Sequence, residues 1–164
     1  MKNLVAYLAL VPVALSGLVG CAPADVAGDY TVNLRNGMNG CGFDNWTEGD
    51  TSMGIPVIVR QTDSDVTLDV EGVTGGLLDL FAGSSMFMGD VGGTSIDATL
   101  IGERSANMGG CNYTITIDLT ASLDGDALAG ELAYRPVTNH HPDCGALEDC
   151  TSLQTFNGTR PPSE

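Results

Sequence analysis

From Asn112 to Leu123 the chain alternates without a break. Tyr113, Ile115, Ile117, Leu119, Ala121 and Leu123 fall on one side, and Asn112, Thr114, Thr116, Asp118, Thr120 and Ser122 on the other. Successive strand residues point to opposite faces, so this pattern predicts one long strand with a single buried face. Such a face must be covered by other strands, because a lone strand or hairpin is at best marginal in water.

The covering strands are legible by the same period. They are expected at residues 28–35, 55–61, 66–70, 86–91, 94–101, 128–134 and 152–158. Tyr30, Val32 and Leu34 share a face, as do Val66, Leu68 and Val70, and Ile96, Ala98 and Leu100. Turn chemistry separates neighbours: Thr62-Asp63-Ser64-Asp65, Gly92-Gly93 and the hairpin dipeptide Asp124-Gly125. Gly130 marks a bend or a close backbone approach, and Pro136 is expected to end its strand. The stretch from Gly72 to Ser85 fits a helical turn as readily as a strand, since Leu77 to Phe81 is too short an apolar run for periodicity to decide. The expectation is therefore an all-β antiparallel meander of about eight strands, most simply a small up-and-down barrel, which removes exposed edges; a two-sheet β-sandwich is the alternative. In pattern, with Gly28-Asp29-Tyr30 opening the first strand and a long loop after it, the domain resembles the lipocalin and avidin type of barrel, although a lipocalin opening carries tryptophan where Tyr30 stands.

Two long loops punctuate the meander. Residues 36–53 hold Cys41, Phe43 and Trp46, and residues 137–150 hold His140, His141, Asp143, Cys144 and Cys150. Loops of this length are functional or disordered, and the cysteine and aromatics of the first favour order. Phe43, Trp46, His140 and His141 are thus the candidate residues of a ligand-binding mouth.

The N-terminus belongs to a different class of segment. Met1-Lys2-Asn3 carries one positive charge, and Leu4 to Val19 follow without any, interrupted by Pro12 and ending in small residues. That is the layout of a secretory signal, and the run is shorter than the ~20 apolar residues of a spanning helix. Its end, Leu18-Val19-Gly20-Cys21, resembles the lipobox of bacterial lipoproteins. The resemblance implies diacylglyceryl transfer to the Cys21 sulfur, cleavage before it, and a bilayer as partner. Alanine rather than aspartate at position 22 implies the outer membrane in a Gram-negative cell. The expected organisation is a signal peptide at 1–20, a lipidated N-terminus and tether at 21–27, one β domain at 28–160 and a tail at 161–164.

Charge and cysteine count narrow the chemistry. Six basic residues against 21 acidic ones give a formal charge of −15, and no basic stripe exists to neutralise phosphates, so nucleic acid is excluded as a partner. With Cys21 set aside, Cys41, Cys111, Cys144 and Cys150 form an even set suited to an oxidising compartment. Three connectivities exist; loop size favours Cys144 with Cys150 and Cys41 with Cys111. A zinc site is disfavoured by the lack of a Cys-x-x-Cys spacing. His140 and His141 are adjacent and point apart on extended chain, so they do not form a metal pair. Asp63-Ser64-Asp65 and Asp124-Gly125-Asp126 are fragments of calcium loops that turn chemistry explains. No Gly-x-Ser-x-Gly elbow is present, no cysteine is left free as a nucleophile if the disulfides form, and no cofactor is implied. The function expected is a non-enzymatic binding or envelope role for an anchored lipoprotein, with an envelope protein as one class of partner. The alternative is carriage of a small apolar ligand inside the barrel, and a hydrolase has the least support.

Overall fold

A computed structural model describes residues 23–162. The signal segment, Leu18 to Cys21, and the end of the tail lie outside the described residues. The elements in chain order are β1 (Gly28–Asn39), β2 (Thr51–Thr62), β3 (Asp65–Val70), α1 (Gly72–Phe81), β4 (Met86–Gly92), β5 (Ser95–Ile101), β6 (Ala106–Met108), β7 (Cys111–Asp124), β8 (Ala127–Thr138) and β9 (Ser152–Thr159). A short 3-10 segment, Pro142–Leu147, lies between β8 and β9.

Every pairing is antiparallel. The strands run β1 to β5 as neighbours, β5 pairs with β7 from Ser95↔Ser122 to Ile101↔Thr116, and β7, β8 and β9 lead back to β1. The result is a closed eight-stranded up-and-down barrel, as the alternation implies; β6 is a short annex on β7. The inner face carries the alternating residues. Tyr30, Leu68, Ile96, Leu100, Ile117 and Leu128 are all but inaccessible to solvent, each contributing ~1.5–3 kcal/mol by burial. Gly130 marks a close approach: a Cβ there would stand 2.2 Å from the Thr120 carbonyl and 2.8 Å from the Phe156 ring. Its absence lets Phe156 lie inward across β8.

The two ends of the barrel differ. At one end, tight hairpins join β2 to β3, β4 to β5 and β7 to β8. The segment before β1 closes this end. The Val26 amide donates to Gln61 Oε1 at 2.8 Å, the Ala24 amide to the Gly93 carbonyl at 2.7 Å, and Tyr30 Oη to the Val26 carbonyl at 3.0 Å. Arg160 sits over the Tyr30 ring, 5.9 Å from its centroid, and donates to the Ala27 carbonyl at 2.6 Å. Val26 is 0% exposed and belongs to the core. Residues 23–27, expected to be a tether, are therefore a docked plug.

The opposite end carries the long connections: residues 40–50, α1, the β6 hairpin and the 3-10 segment. The ambiguous stretch after β3 is helical from Gly72 to Phe81. It bridges β3 and β4 over the mouth, which an extended chain would leave open. Pro136 does not end its strand. It lies opposite Ile115 near the far end of β8, beyond Tyr134↔Ser152 where the pairing with β9 stops, and a strand edge is where the missing N–H of proline is tolerated.

The cysteines form two disulfides, Cys41–Cys150 and Cys111–Cys144. This corrects the expected pairing of Cys144 with Cys150 and Cys41 with Cys111. Barrel closure is the reason: Asn39 of β1 lies opposite Ser152 of β9, which brings Cys41 beside Cys150. Cys111 opens β7, where it meets the 3-10 segment that carries Cys144.

Candidate functional site

The mouth is roofed by two structures. One is α1. The other is a small second core made of both disulfides and Leu147, with Phe43 and Tyr113 packed on it. Beneath them, inside the barrel, lies a cavity of about 70 Å³ whose walls include Val57, Leu68, Phe87, Leu132 and Phe156, with Leu78 and Thr74 of α1 at its rim. It exceeds the ~10–15 Å³ that one water occupies, and an apolar cavity of this kind stays dry and accepts apolar guests. It is well below the ~300–1,000 Å³ of a typical ligand pocket, so it suits one slender group.

Tyr134 is where the wall changes character. Its ring lines the cavity, and its hydroxyl donates to Gln154 Oε1 at 2.5 Å. Gln154 Nε2 donates to Asn36 Oδ1 at 2.6 Å, and Asn36 Nδ2 to the Thr47 carbonyl at 3.1 Å. This relay ties the inner wall to the β1–β2 loop. Burial pushes the Tyr134 phenol well above its ordinary value, so it is a neutral hydroxyl across the physiological range.

The same loop contributes Trp46, whose ring lies against Tyr134 and whose Nε1 donates to the Gly37 carbonyl at 2.9 Å. Phe43 lies next to Trp46, with ring centroids 6.2 Å apart, and its backbone N–H and carbonyl both bond the Asn39 side chain at 2.9 Å. Ser152 Oγ, fully buried, accepts from the Cys41 amide at 3.1 Å and donates to Asn39 Oδ1 at 3.2 Å. Two of the four mouth residues expected from sequence thus sit at the mouth.

His140 and His141 do not join them. Both are exposed on the outer rim. His140 Nδ1 lies 3.1 Å from Glu148 Oε2, and His141 Nδ1 accepts from the Asp143 amide at 3.2 Å. The Thr138 hydroxyl donates to Glu148 at 2.7 Å; with His140 beside it, this holds the carboxyl below its ordinary value. These contacts shape the β8–β9 loop. Among the described residues no cluster of His, Cys, Asp and Glu has the form of a metal site.

Tyr134, Gln154, Thr74 and Leu78 were not singled out by sequence. A signal existed for Tyr134, the one aromatic among the inward positions of β8, but nothing in the chain shows that Trp46 returns to it.

α1 is a weakly determined helix. Its N-cap, Glu71, makes no side-chain capping bond, and Gly75 and Gly76 lie within it, each costing about 1 kcal/mol relative to alanine. Gly75 is required by contact: a Cβ would fall 1.9 Å from the Val70 carbonyl. Thr74 and Leu78 face the cavity while Val73, Leu77, Leu80 and Phe81 face solvent, Val73 at 84% and Phe81 at 70% exposure. No protein-family model, curated protein or solved structure matches the chain.

Proposed function

We propose that this chain is an exported, lipid-anchored envelope protein without catalytic activity whose barrel takes up one small apolar ligand. The observation that carries the ligand is the apolar cavity beneath α1. Closed hairpins and the Val26 plug seal one end, and the other ends in loops, so a guest enters at the mouth. Two disulfides agree with an oxidising compartment.

The anchor rests on Leu18-Val19-Gly20-Cys21. Cys21 precedes Pro23 by two positions, and two residues of chain reach at most about 7 Å. Acyl chains on Cys21 would therefore hold the closed end against the bilayer and turn the mouth away from it. A ligand would arrive from the aqueous side.

The ligand is tested by titrating the mature protein with benzene and following methyl and ring signals by NMR. Shifts confined to cavity residues such as Leu132 and Phe156 are expected. Absence of any saturable shift would leave an envelope role without a ligand. The anchor is tested by Cys21→Ala, which should release the protein from membranes and abolish labelling with fatty acid; a variant that fractionates as the wild type does would refute it.

A further inference from the structure

We propose that α1 is the gate of the barrel: a guest enters and leaves the cavity when α1 unfolds locally between Gly72 and Gly83, while the disulfide-braced half of the roof stays shut. The proposal rests on the ligand-binding reading above and adds the route by which that site fills and empties.

The two halves of the roof are held by different means. Cys41, Cys111 and Cys144 are buried and tied by both disulfides, so that half cannot part without breaking covalent bonds. The helix has no such tie. The chain enters it through Gly72 at φ +66° and leaves it through Gly83 at φ +88°, and glycine changes backbone conformation at less steric cost than any other residue. Just outside these two glycines the chain is fixed to itself and to the barrel: the Glu71 amide donates to the Pro56 carbonyl at 2.9 Å and the Val70 amide to the Ser85 carbonyl at 3.1 Å. Between them only Thr74, Gly75, Leu78 and Ala82 are withdrawn from solvent.

Such a segment opens by melting. Its 10 residues, with Gly75 and Gly76 among them and no capping side chain, fall short of the ~12–15 at which an isolated helix becomes even marginally stable. Once Thr74 and Leu78 leave the wall, nothing local keeps it helical. Val73, Leu77, Leu80 and Phe81 are already in water, so opening uncovers little beyond Leu78, Ala82 and the cavity wall and costs far less than opening the barrel. One latch opposes it. The chain from Gly102 to Ser105 reaches back to the last turn of α1: the Glu103 and Arg104 amides donate to the Ala82 carbonyl at 2.6 and 3.0 Å, and Arg104 Nη1 to the Leu80 carbonyl at 3.0 Å. Carbonyls of a last turn have no partner within their own helix.

Two substitutions outside the cavity wall push the gate in opposite directions. Gly76→Ala adds a Cβ that meets no atom within 4 Å and should make opening about fivefold rarer, the difference in helix propensity between the two residues. Arg104→Ala removes one latch bond and should make opening about fivefold more frequent. Native-state hydrogen exchange of the mature protein reads opening directly. The Gly75 and Ala82 amides, which donate to the Glu71 and Leu78 carbonyls at 3.2 and 2.7 Å, should exchange at least ~100-fold faster than the central amides of β7. Their rates should fall in Gly76→Ala and rise in Arg104→Ala while those of β7 stay unchanged. NMR exchange measurements with benzene then read the route. Association and dissociation should both slow about fivefold in Gly76→Ala and both quicken about fivefold in Arg104→Ala at unchanged Kd, the signature of a gate rather than of an altered site. Amides of α1 as protected as those of β7 would overturn the inference, as would benzene rates that ignore both substitutions; in either case saturable benzene binding would leave the ligand-binding function standing. Absence of saturable benzene binding would overturn both.

Discussion

The indole of Trp46 meets the ring of Tyr134 edge to face, with centroids 5.4 Å apart and planes inclined at 79°. The two residues lie on elements that share no strand pairing, the β1–β2 loop and the far half of β8. Their contact lays the β1–β2 loop against the inner wall at the mouth, beside the roof formed by α1 and the disulfide core. Everything that fixes it is local to this end: the Trp46 to Gly37 bond, the Asn36–Gln154–Tyr134 relay and the Cys41–Cys150 disulfide. The barrel wall supplies Tyr134 at an inward position, and the loop supplies the ring packed against it.

Trp46→Ala should therefore cost about 2 kcal/mol, below the ~3–5 kcal/mol of a fully buried tryptophan because the ring is half-buried. Urea denaturation reads this as a lower midpoint at unchanged slope. Trp46 is the chain's single tryptophan, so its emission in the wild type should also shift when a guest reaches Tyr134. A stability change below ~0.5 kcal/mol would mean that the loop is not held by this ring.

The two disulfides should contribute unequally. They close separations of 109 and 33 residues, for which chain entropy gives about 5 and about 4 kcal/mol. Replacing Cys41 and Cys150 together by serine should lower stability more than replacing Cys111 and Cys144. Proteolysis under non-reducing conditions should recover a peptide linking Cys41 to Cys150. Recovery of Cys144 linked to Cys150 would contradict the fold at the mouth.

The difference between these pairs and the pairing expected from loop size shows what sequence exposes. The alternation of β7 identifies a half-buried strand because the signal is carried by each residue in turn, and the same holds for β3 and β5. Closure of the barrel follows from counting such strands. Which loops meet does not, since Cys41 and Cys150 become neighbours only once β9 pairs with β1. The helix α1 is equally hidden: Val73, Leu77, Leu80 and Phe81 recur at helical spacing but face solvent rather than the core, glycines interrupt the run, and it forms because a chain crossing the mouth from β3 to β4 must satisfy its own backbone. Tyr134 reads as one more inward residue until Trp46 is seen against it.

Alkaline pH should destabilise the protein through its buried phenols. Burial raises the Tyr134 phenol, and it raises that of Tyr30 as well, where the Arg160 guanidinium opposes the shift. The folded state thus favours the protonated forms. Their contribution is complete below the ordinary tyrosine value of about 10 and is lost as pH rises through the folded values. Stability should fall steadily above pH ~10, and Tyr134→Phe should make that fall shallower. Ultraviolet titration of the native protein should show phenolate absorbance from Tyr30 and Tyr134 lagging behind that of an unfolded control. A titration identical to the control would place both rings in solvent.

The closed end offers a test of how the N-terminal segment is held. Val26 is fully buried and its amide bonds Gln61, while the Ala24 amide and carbonyl bond Gly93 and Gln61. Val26→Ala removes two methyl groups from the core at about 2 kcal/mol, transfer and cavity costs together. Gln61→Ala should act on the same segment by a different route, since it strips three hydrogen bonds, two of them to this segment and one to the Asp63 carbonyl, at ~1 kcal/mol each. Hydrogen exchange separates a docked plug from a free tether: the amides of Ala24 and Val26 should be protected in the wild type and lose protection in Gln61→Ala before the barrel strands do. Exchange of both amides at the rate of unstructured chain in the wild type would show that the segment is a tether after all. The orientation proposed above for an anchored chain, with the mouth turned from the bilayer, would then lose its support.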